Sequence, residues 1–268
     1  MHFHEHTCEG LAENLAWDEA LLEGSEEWQG SESSEGAIVG DEVLRVWEMP
    51  RPCVVVGRAS RLDSEVFVDQ CDQDNVPVFR RMSGGSSIVA GPGCVMYSVL
   101  LSLQKRPECR HLDVAHRTVM DRTRSAVQRA LDRFAIEGEV AIEGICDLTW
   151  NGFKISGNAL RVKRHWLMYH GTILLTMPLE WIERYLRIPP RQPEYRAGRA
   201  HDRFVTSLRA AVEPFPNFQS ELVQEMSHAW DATLPWSSHP LAERVPSLAN
   251  EWMEKRYGDQ VWHSGRDK

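Results

Sequence analysis

Two segments carry side chains from which chemistry could be built. The first is Arg80-Arg81-Met82-Ser83-Gly84-Gly85-Ser86-Ser87. A guanidinium can donate two parallel hydrogen bonds to a phosphate or carboxylate, and the small residues after the pair leave backbone amides bare for an anion. The second runs from Asp147 through the Asn151-Gly152 turn to Lys154-Ile155-Ser156-Gly157-Asn158-Ala159. There a lone ammonium precedes a second patch of small side chains. An ammonium on a rigid strand can neutralise an α-phosphate and a carboxylate that are pushed together, which stabilises charge gathering in a transition state. Facing each other, the two segments would form a nucleotide and acyl pocket. Each also has a plainer reading: Arg80-Arg81 as a surface pair, Gly84-Gly85 as an ordinary turn, Lys154 as a solvated strand lysine. Since strand neighbours point to opposite faces, only one of the two arginines can face a pocket.

Other reactive types are weighed in the same way. Cys94 and Cys146 lie near these segments, and a cysteine whose pKa is lowered by a base or cation can be an acyl nucleophile; the commoner state is a buried, inert thiol. His2, His4, His6 and Cys8 resemble a metal site by composition alone, and alternate spacing at a flexible amino terminus is usually adventitious. The ten tryptophans lack the basic interleaving of a base-stacking platform and read as core and interface.

These residues must be held by a chain of 268 residues, enough for one large domain. The net charge of −9 is uneven: residues 1–50 hold 13 acids and one base, leaving 29 bases against 26 acids in the remainder. That balance excludes a strongly basic nucleic-acid face yet permits a local phosphate pocket. No apolar run reaches the length of a membrane span, the opening residues lack the pattern of a secretory signal, and six cysteines without regular spacing argue for reduced thiols in a cytoplasm. Residues 24–36, rich in Ser, Glu and Gly, read as a mobile acidic loop.

Periodicity predicts helices over residues 14–23, 64–74, 113–134, 178–186, 218–229 and 241–256, the clearest being 113–134 with Val114, Met120, Val127 and Leu131 on one side. Strands are predicted over 43–48, 53–57, 76–80, 88–89, 95–103, 140–145, 148–150, 153–161 and 167–176, with Asn151-Gly152 as a hairpin turn. The stretch 189–203, rich in proline and arginine, reads as a loop able to order over a ligand, and 205–268 as a helical tail. Hairpins interspersed with helices predict an α+β fold of mixed, largely antiparallel sheets flanked by helices.

Taken in order, the motifs resemble the lipoate–protein ligase A family within the biotin/lipoate ligase group. That family shows Arg-Arg-x-Ser-Gly-Gly-Gly-x-Val, then Asn-Asp-Leu, Lys-x-Ser-Gly-x-Ala, and His-Gly before an apolar strand. Here stand Arg80 to Gly85, Asp147-Leu148, Lys154 to Ala159, and His170-Gly171-Thr172-Ile173-Leu174-Leu175. Residues 14–22, 47–58 and 254–258 are similar to the family as well, so the resemblance spans most of the chain as a single ligase-like catalytic domain. It implies an enzyme that joins ATP and lipoate or octanoate into an acyl-adenylate, releases pyrophosphate, and passes the acyl group to a lysine of a lipoyl domain. That domain would belong to a 2-oxoacid dehydrogenase subunit or to the glycine cleavage H-protein. By position, Arg81, Ser83, Gly84, Gly85 and Ser86 would line the acyl-adenylate together with Ser156, Gly157, Ala159 and His170. Asp147 would lie by the nucleotide and Mg²⁺, and Lys154 would touch carboxyl and phosphate as the catalytic cation.

The chain departs from the family pattern at Ser86, which replaces the third glycine, at Ala90-Gly91 in place of His-Asp, and at Cys94 and Cys146 in place of asparagines. It is also short for the full accessory domain that some members carry after the catalytic part, and these departures imply slow adenylation or help from a separate protein. Three alternatives stay open: an ATP-independent cysteine octanoyltransferase fed by acyl carrier protein, a biotin ligase, and a non-catalytic binder of lipoyl domains or of a small acyl ligand. Basic Arg161, Lys163, Arg164 and the 191–203 loop are candidates to meet an acidic acceptor.

Overall fold

The β-branched and apolar runs at 43–48 and 94–102 form neighbouring strands in the middle of an eight-stranded sheet. The structure, a computed structural model, describes residues 1–30 and 41–265. Its strands are β1 (His2–Glu5), β2 (Val43–Glu48), β3 (Cys53–Val56), β4 (Val78–Arg80), β5 (Ile88–Ala90), β6 (Cys94–Ser102), β7 (Val140–Glu143), β8 (Asp147–Trp150), β9 (Phe153–Val162), β10 (Trp166–Leu174) and β11 (Leu234–Pro235). The helices are α1 (Leu11–Gly30), α2 (Leu62–Glu65), α3 (Val68–Gln73), α4 (Leu112–Arg133), α5 (Glu180–Tyr185), α6 (Arg209–Val212), α7 (Phe218–Ala229), α8 (Val245–Trp252) and α9 (Gln260–Ser264). The large sheet runs β11-β1-β2-β6-β10-β9-β8-β7, and a small one runs β4-β3-β5. From β2 outward to β7 every pairing is antiparallel, whereas β1 lies parallel to both β2 and β11. The fold is α+β, as the hairpin pattern implied.

Strand β6 is buried along its whole length, and its period of two sorts its side chains. Val95, Tyr97, Val99 and Leu101 pack with the buried face of α4 and with α7. On the other side, Cys94 and Met96 join α1 and β3, and Leu100 joins α1 and α8. Helix α1 therefore lies under the sheet and is buried on almost every side from Leu11 to Leu22, the polar Asn14, Asp18 and Glu19 included. In α4 the buried stripe includes Met120, Val127 and Leu131, spaced as predicted, while Val114 is only half-buried.

Four expectations are corrected. Residues 24–30 are helical, because α1 runs on to Gly30; residues 31–36 of the expected loop lie outside the described residues. The helix expected over 64–74 is two, α2 and α3, because Val66 leaves the helical course to bridge Leu186. Residues 2–5 form strand β1, where His4 stacks on His6 at 4.9 Å and on Trp236 at 4.5 Å. The segment after residue 205 is not wholly helical, since β11 adds a strand beside β1.

Candidate active site

Strand β4 delivers Arg80 and Arg81 to the edge of the small sheet, facing opposite ways. Both guanidinium groups are committed to backbone carbonyls. Arg80 donates from Nη1 to Gly57 and Ser60 at 2.7 and 2.8 Å, from Nε to Trp262 at 3.1 Å, and from Nη2 to His263 at 3.2 Å. Arg81 donates from Nη1 to Val55 at 3.2 Å and from Nη2 to Gly84 and Ser86 at 2.5 and 3.0 Å, while its Nε reaches the Ser83 hydroxyl at 3.0 Å. Neither fork is left open for an external anion, which corrects the reading from residue type. Burial lowers Arg81 only to about 10, so it stays charged at neutral pH. Its role lies behind the loop. A trans peptide points its carbonyl and the next amide in opposite directions, so the Gly84 carbonyl held by Arg81 turns the Gly85 amide away from the guanidinium. Gly84, Gly85 and Ser86 are exposed. Gly85 holds φ +86°, and a Cβ there would lie 2.9 Å from Arg81 Nη2. Past the turn, Glu65 accepts from the Ser87 amide and hydroxyl at 2.7 and 2.8 Å.

Ser83 and His170 Nε2 share a hydrogen bond of 2.5 Å, and His170 Nδ1 lies 3.6 Å from Asp18 Oδ2. Asp18 in turn pairs with Arg45 at 2.7 Å and accepts from Ser98 at 2.5 Å. Burial pushes the Asp18 carboxyl up, but Arg45, His170 and Ser98 together hold it below the usual range. The order Ser-His-Asp is that of a nucleophilic relay. Ser83, however, is 1% exposed and already accepts from Arg81, so the arrangement fixes His170 in the wall rather than arming a serine.

Lys154, on β9, stands where two cavities meet. The inner one, about 410 Å³, is walled by Leu15, Trp47 and Met96 toward its apolar side and by Cys146, Asp147 and His170 elsewhere, with Arg81, Gly85 and Ala159 on its wall too. The outer one, about 130 Å³, has an apolar floor that includes Val89, Leu174, Ile182 and Leu186, and a wall carrying Arg187, Arg191 and Arg196. Ser86, Lys154, Gly157 and Thr172 line both, while Ser156 lines only the outer. The ammonium pairs with Asp147 Oδ1 at 2.8 Å, and Tyr195 donates to Asp147 Oδ2 at 2.7 Å. The lysine backbone is strapped by Phe204 and Thr206, and its Nζ sits 5.9 Å from the Phe204 ring centre. Gly157 leaves space for it: a Cβ there would be 3.3 Å from Nζ.

The two cysteines part company. Cys94 is wholly buried against Met96, lines neither cavity, and burial drives its thiol far up. This corrects its candidacy as a nucleophile. Cys146 does line the inner cavity, but its Sγ donates to the Asn158 carbonyl at 3.2 Å, and burial followed by Asp147 raises it to about 11. Neither is a thiolate at neutral pH. Among the described residues no cluster of three or more His, Cys, Asp or Glu side chains could hold a metal; Asp147 is a single carboxylate beside Lys154.

Several wall residues were not singled out by type or motif: Trp47, Met96, Glu65, Tyr195 and Arg196. Asp18 shares one side of the predicted 14–23 helix with Leu15, Leu21 and Leu22, a spacing that signals a buried carboxylate.

Comparison with known proteins adds the following. Residues 11–229 match the family described as the lipoyl protein ligase A/B catalytic domain. A putative lipoate-protein ligase A of Aeropyrum pernix is 32% identical over 171 residues, which is 64% of this chain and 56% of that protein. A probable lipoate-protein ligase A of Mycoplasma pneumoniae is 25% identical over 86% of this chain and 65% of its own length. The chain thus spans little more than half to two thirds of these curated relatives. An octanoyltransferase LipM of Carboxydothermus hydrogenoformans is 25% identical over 97% of both chains. Among solved structures, the fold is shared with the bipartite lipoate protein ligase of Thermoplasma acidophilum studied with its E2 lipoyl domain (TM-score 0.74, 17% identity, 100% of this chain and 97% of that one). It is also shared with a putative lipoate protein ligase from the same organism with bound lipoic acid (0.72, 18%, 98% of each), and with a lipoate-protein ligase A bound with ATP (0.68, 18%, 98% of each).

Proposed function

Because the chain belongs to the lipoyl protein ligase A/B catalytic-domain family, we propose that it activates lipoate or octanoate with ATP and transfers the acyl group to a lysine of a lipoyl domain. The observation that carries this reading is the position of Lys154, whose side chain lines both cavities and has Asp147 as its carboxylate partner. An apolar acid fits the inner cavity, where burial contributes about 0.8 kcal/mol per methylene. The outer one offers an apolar floor for a nucleotide base, with the phosphates extending from it toward Lys154 and the arginines.

At the junction the acid's carboxylate and the α-phosphate repel each other, and the ammonium of Lys154 offsets that repulsion while holding both in line. A carboxylate oxygen then bonds to the α-phosphorus as the bond to the bridging oxygen breaks, and pyrophosphate leaves with the electron pair. In the second step an acceptor lysine, as free amine, attacks the acyl carbon, the bond from that carbon to the phosphate oxygen breaks so that AMP departs with the electron pair, and the nitrogen releases one proton to solvent. Asp147 suits a Mg²⁺ that arrives on the nucleotide phosphates, since that ion commonly takes only one or two protein carboxylates; when bound it would neutralise phosphate charge. The acceptor would be the lipoyl domain of a 2-oxoacid dehydrogenase subunit or the glycine cleavage H-protein, and a separate accessory protein could assist. All six cysteines are free, which suits a reducing cytoplasm.

A second reading, octanoyl transfer without ATP, draws on the full-length match to an octanoyltransferase, but it requires a reactive thiol, and Cys146 is protonated and hydrogen-bonded. One experiment separates the readings. Labelled pyrophosphate should exchange into ATP in the presence of lipoate or octanoate, and biotin serves as the comparison acid. Octanoyl transfer from acyl carrier protein without ATP, lost in Cys146→Ser, would sink the ligase reading; an acyl or lipoyl-domain ligand bound with neither activity would leave a mere binder.

A further inference from the structure

Among the described residues four arginines are buried, and three are held mainly from within. Arg45 pairs with Asp18 and donates to the carbonyls of His6 and Asn14, while Arg80 and Arg81 are committed to carbonyls as described above. Arg196 differs. It is 3% exposed, and its guanidinium has neither a carboxylate nor a full set of carbonyl partners among the described residues. Nε donates to the Arg199 carbonyl at 2.9 Å and Nη2 reaches only a ring nitrogen of His201 at 3.4 Å. Of the five N–H donors on a guanidinium, those on Nη1 meet no hydrogen-bond acceptor among the described residues. Nη1 is not sealed among protein atoms but open to the cavity that Arg196 lines, where an anionic ligand is the natural partner for its charge.

The surroundings hold Arg196 ready for one. Arg199 Nε donates back to the Arg196 carbonyl at 3.1 Å, so each arginine grips the other's backbone. The guanidinium stacks over Phe204 at 4.7 Å, the same ring beside which Lys154 lies. The turn behind it passes through Ala197 at φ 50° and Gly198 at φ 70°. A left-handed alanine is a strained conformation of the kind retained where position matters. Arg196 faces the outer cavity, whose wall carries Lys154, Arg187 and Arg191 against one acid, Glu65. Glu65 is itself bound to Ser87.

We propose that Arg196 is a catalytic residue of the adenylation half-reaction: it binds the β- and γ-phosphates and stabilises pyrophosphate as it leaves. This rests on the ligase reading above. As the acid's carboxylate oxygen bonds to the α-phosphorus, the bond from that phosphorus to the bridging oxygen breaks and its electron pair moves onto the β-phosphate; no proton is transferred. Lys154 meets the charge on the α side, Arg196 the charge on the departing side. An arginine suits the second task because it remains charged and its fork matches phosphate oxygens. The acyl-adenylate has no β- or γ-phosphate, so the transfer half-reaction has no need of Arg196.

The test compares the two half-reactions in the full chain. In Arg196→Gln, lipoate-dependent exchange of pyrophosphate into ATP should fall roughly 10²-fold or more, with partial recovery in Arg196→Lys. Transfer from preformed lipoyl-adenylate to a lipoyl domain should fall at least about tenfold less, which also reports that the variant is folded. Calorimetry with Mg²⁺ and pyrophosphate should show binding to the wild type and at least about tenfold weaker binding to Arg196→Gln. Exchange in Arg196→Gln within about threefold of wild type, or equal losses in both half-reactions, would overturn the assignment and leave the ligase reading intact. A wild type that exchanges no label with lipoate, octanoate or biotin would overturn the ligase reading instead. In that event Arg196-dependent pyrophosphate binding preserves the anion site, and unaltered binding removes it.

Discussion

At the scale of single residues, Lys154 is held as a charge with a defined position rather than a solvated one. Asp147 fixes it from one side and Tyr195 fixes Asp147 from the other. Lys154→Ala should lower pyrophosphate exchange by roughly 10²–10³-fold, the cost of removing one preorganised charge, as read from kcat/KM for ATP. Tyr195→Phe removes only the donor to Asp147. It should weaken kcat by roughly tenfold with little change in KM for the acid, whereas a merely structural role would show as a lower Tm with kcat intact. Lys154 was legible in the sequence because it is the lone ammonium between two small-residue patches. Tyr195 and Arg196 were reached only as members of a loop able to order over a ligand, because in an aperiodic segment spacing says nothing about what a given side chain reaches. The arginine pair shows a subtler limit. Residue type announced two forks, but Arg80's is filled by a loop at 57–60 and by α9, both distant in sequence, and Arg81's by β3 and by the turn just after Arg81.

At the scale of elements, the glycine turn depends on supports that touch no cavity. Gly57, just past β3, lies so close to the turn that a Cβ there would stand 2.0 Å from the Gly85 carbonyl oxygen, a backbone atom that cannot swing aside. Gly57→Ala should therefore displace the turn: KM for ATP rises by roughly tenfold and Tm falls by several degrees, a cost of about 1–3 kcal/mol typical of overpacking. Equal kinetics in the variant would show that the turn is not held from behind. Alternation and turn residues made most strands visible beforehand, since one buried face and Asn151-Gly152 leave few other choices. The break between α2 and α3 was invisible, because it answers to Leu186, more than a hundred residues away. Strand β1 was missed for a similar reason: His2–Glu5 carries little β signal of its own and is ordered by parallel partners on both sides.

At the scale of the whole molecule, β1 closes the sheet between β2 and β11 through a ladder of rings. His4 stacks on His6 and Trp236, and Trp236 on His239. Burial, then His6, Arg45 and His239, push His4 down to about 3, and burial pushes His239 down to about 4. The unfolded chain therefore takes up these protons first, at the ordinary histidine value of 6.5. The stability they contribute is complete above that value and is lost as the pH falls from it toward 3. The urea midpoint should drop across this window, and the drop should be smaller in His4→Phe. That variant should also gain up to about 1 kcal/mol at neutral pH, because it removes the buried Nε2 that has no hydrogen-bond partner. A steeper acid loss in His4→Phe would contradict the account. The same view of the whole fold reaches the acid itself. His170, in the inner wall, rests on Asp18, and Asp18 on a fully buried Arg45. An aliphatic tail growing past that wall would have to prise apart an ion pair sealed from water, for which nothing in a hydrocarbon compensates. If the acid lies in the inner cavity, that wall is a stop that does not yield: acids long enough to meet it should be refused with a sharp cut-off in a homologous series of fatty acids rather than a gradual decline.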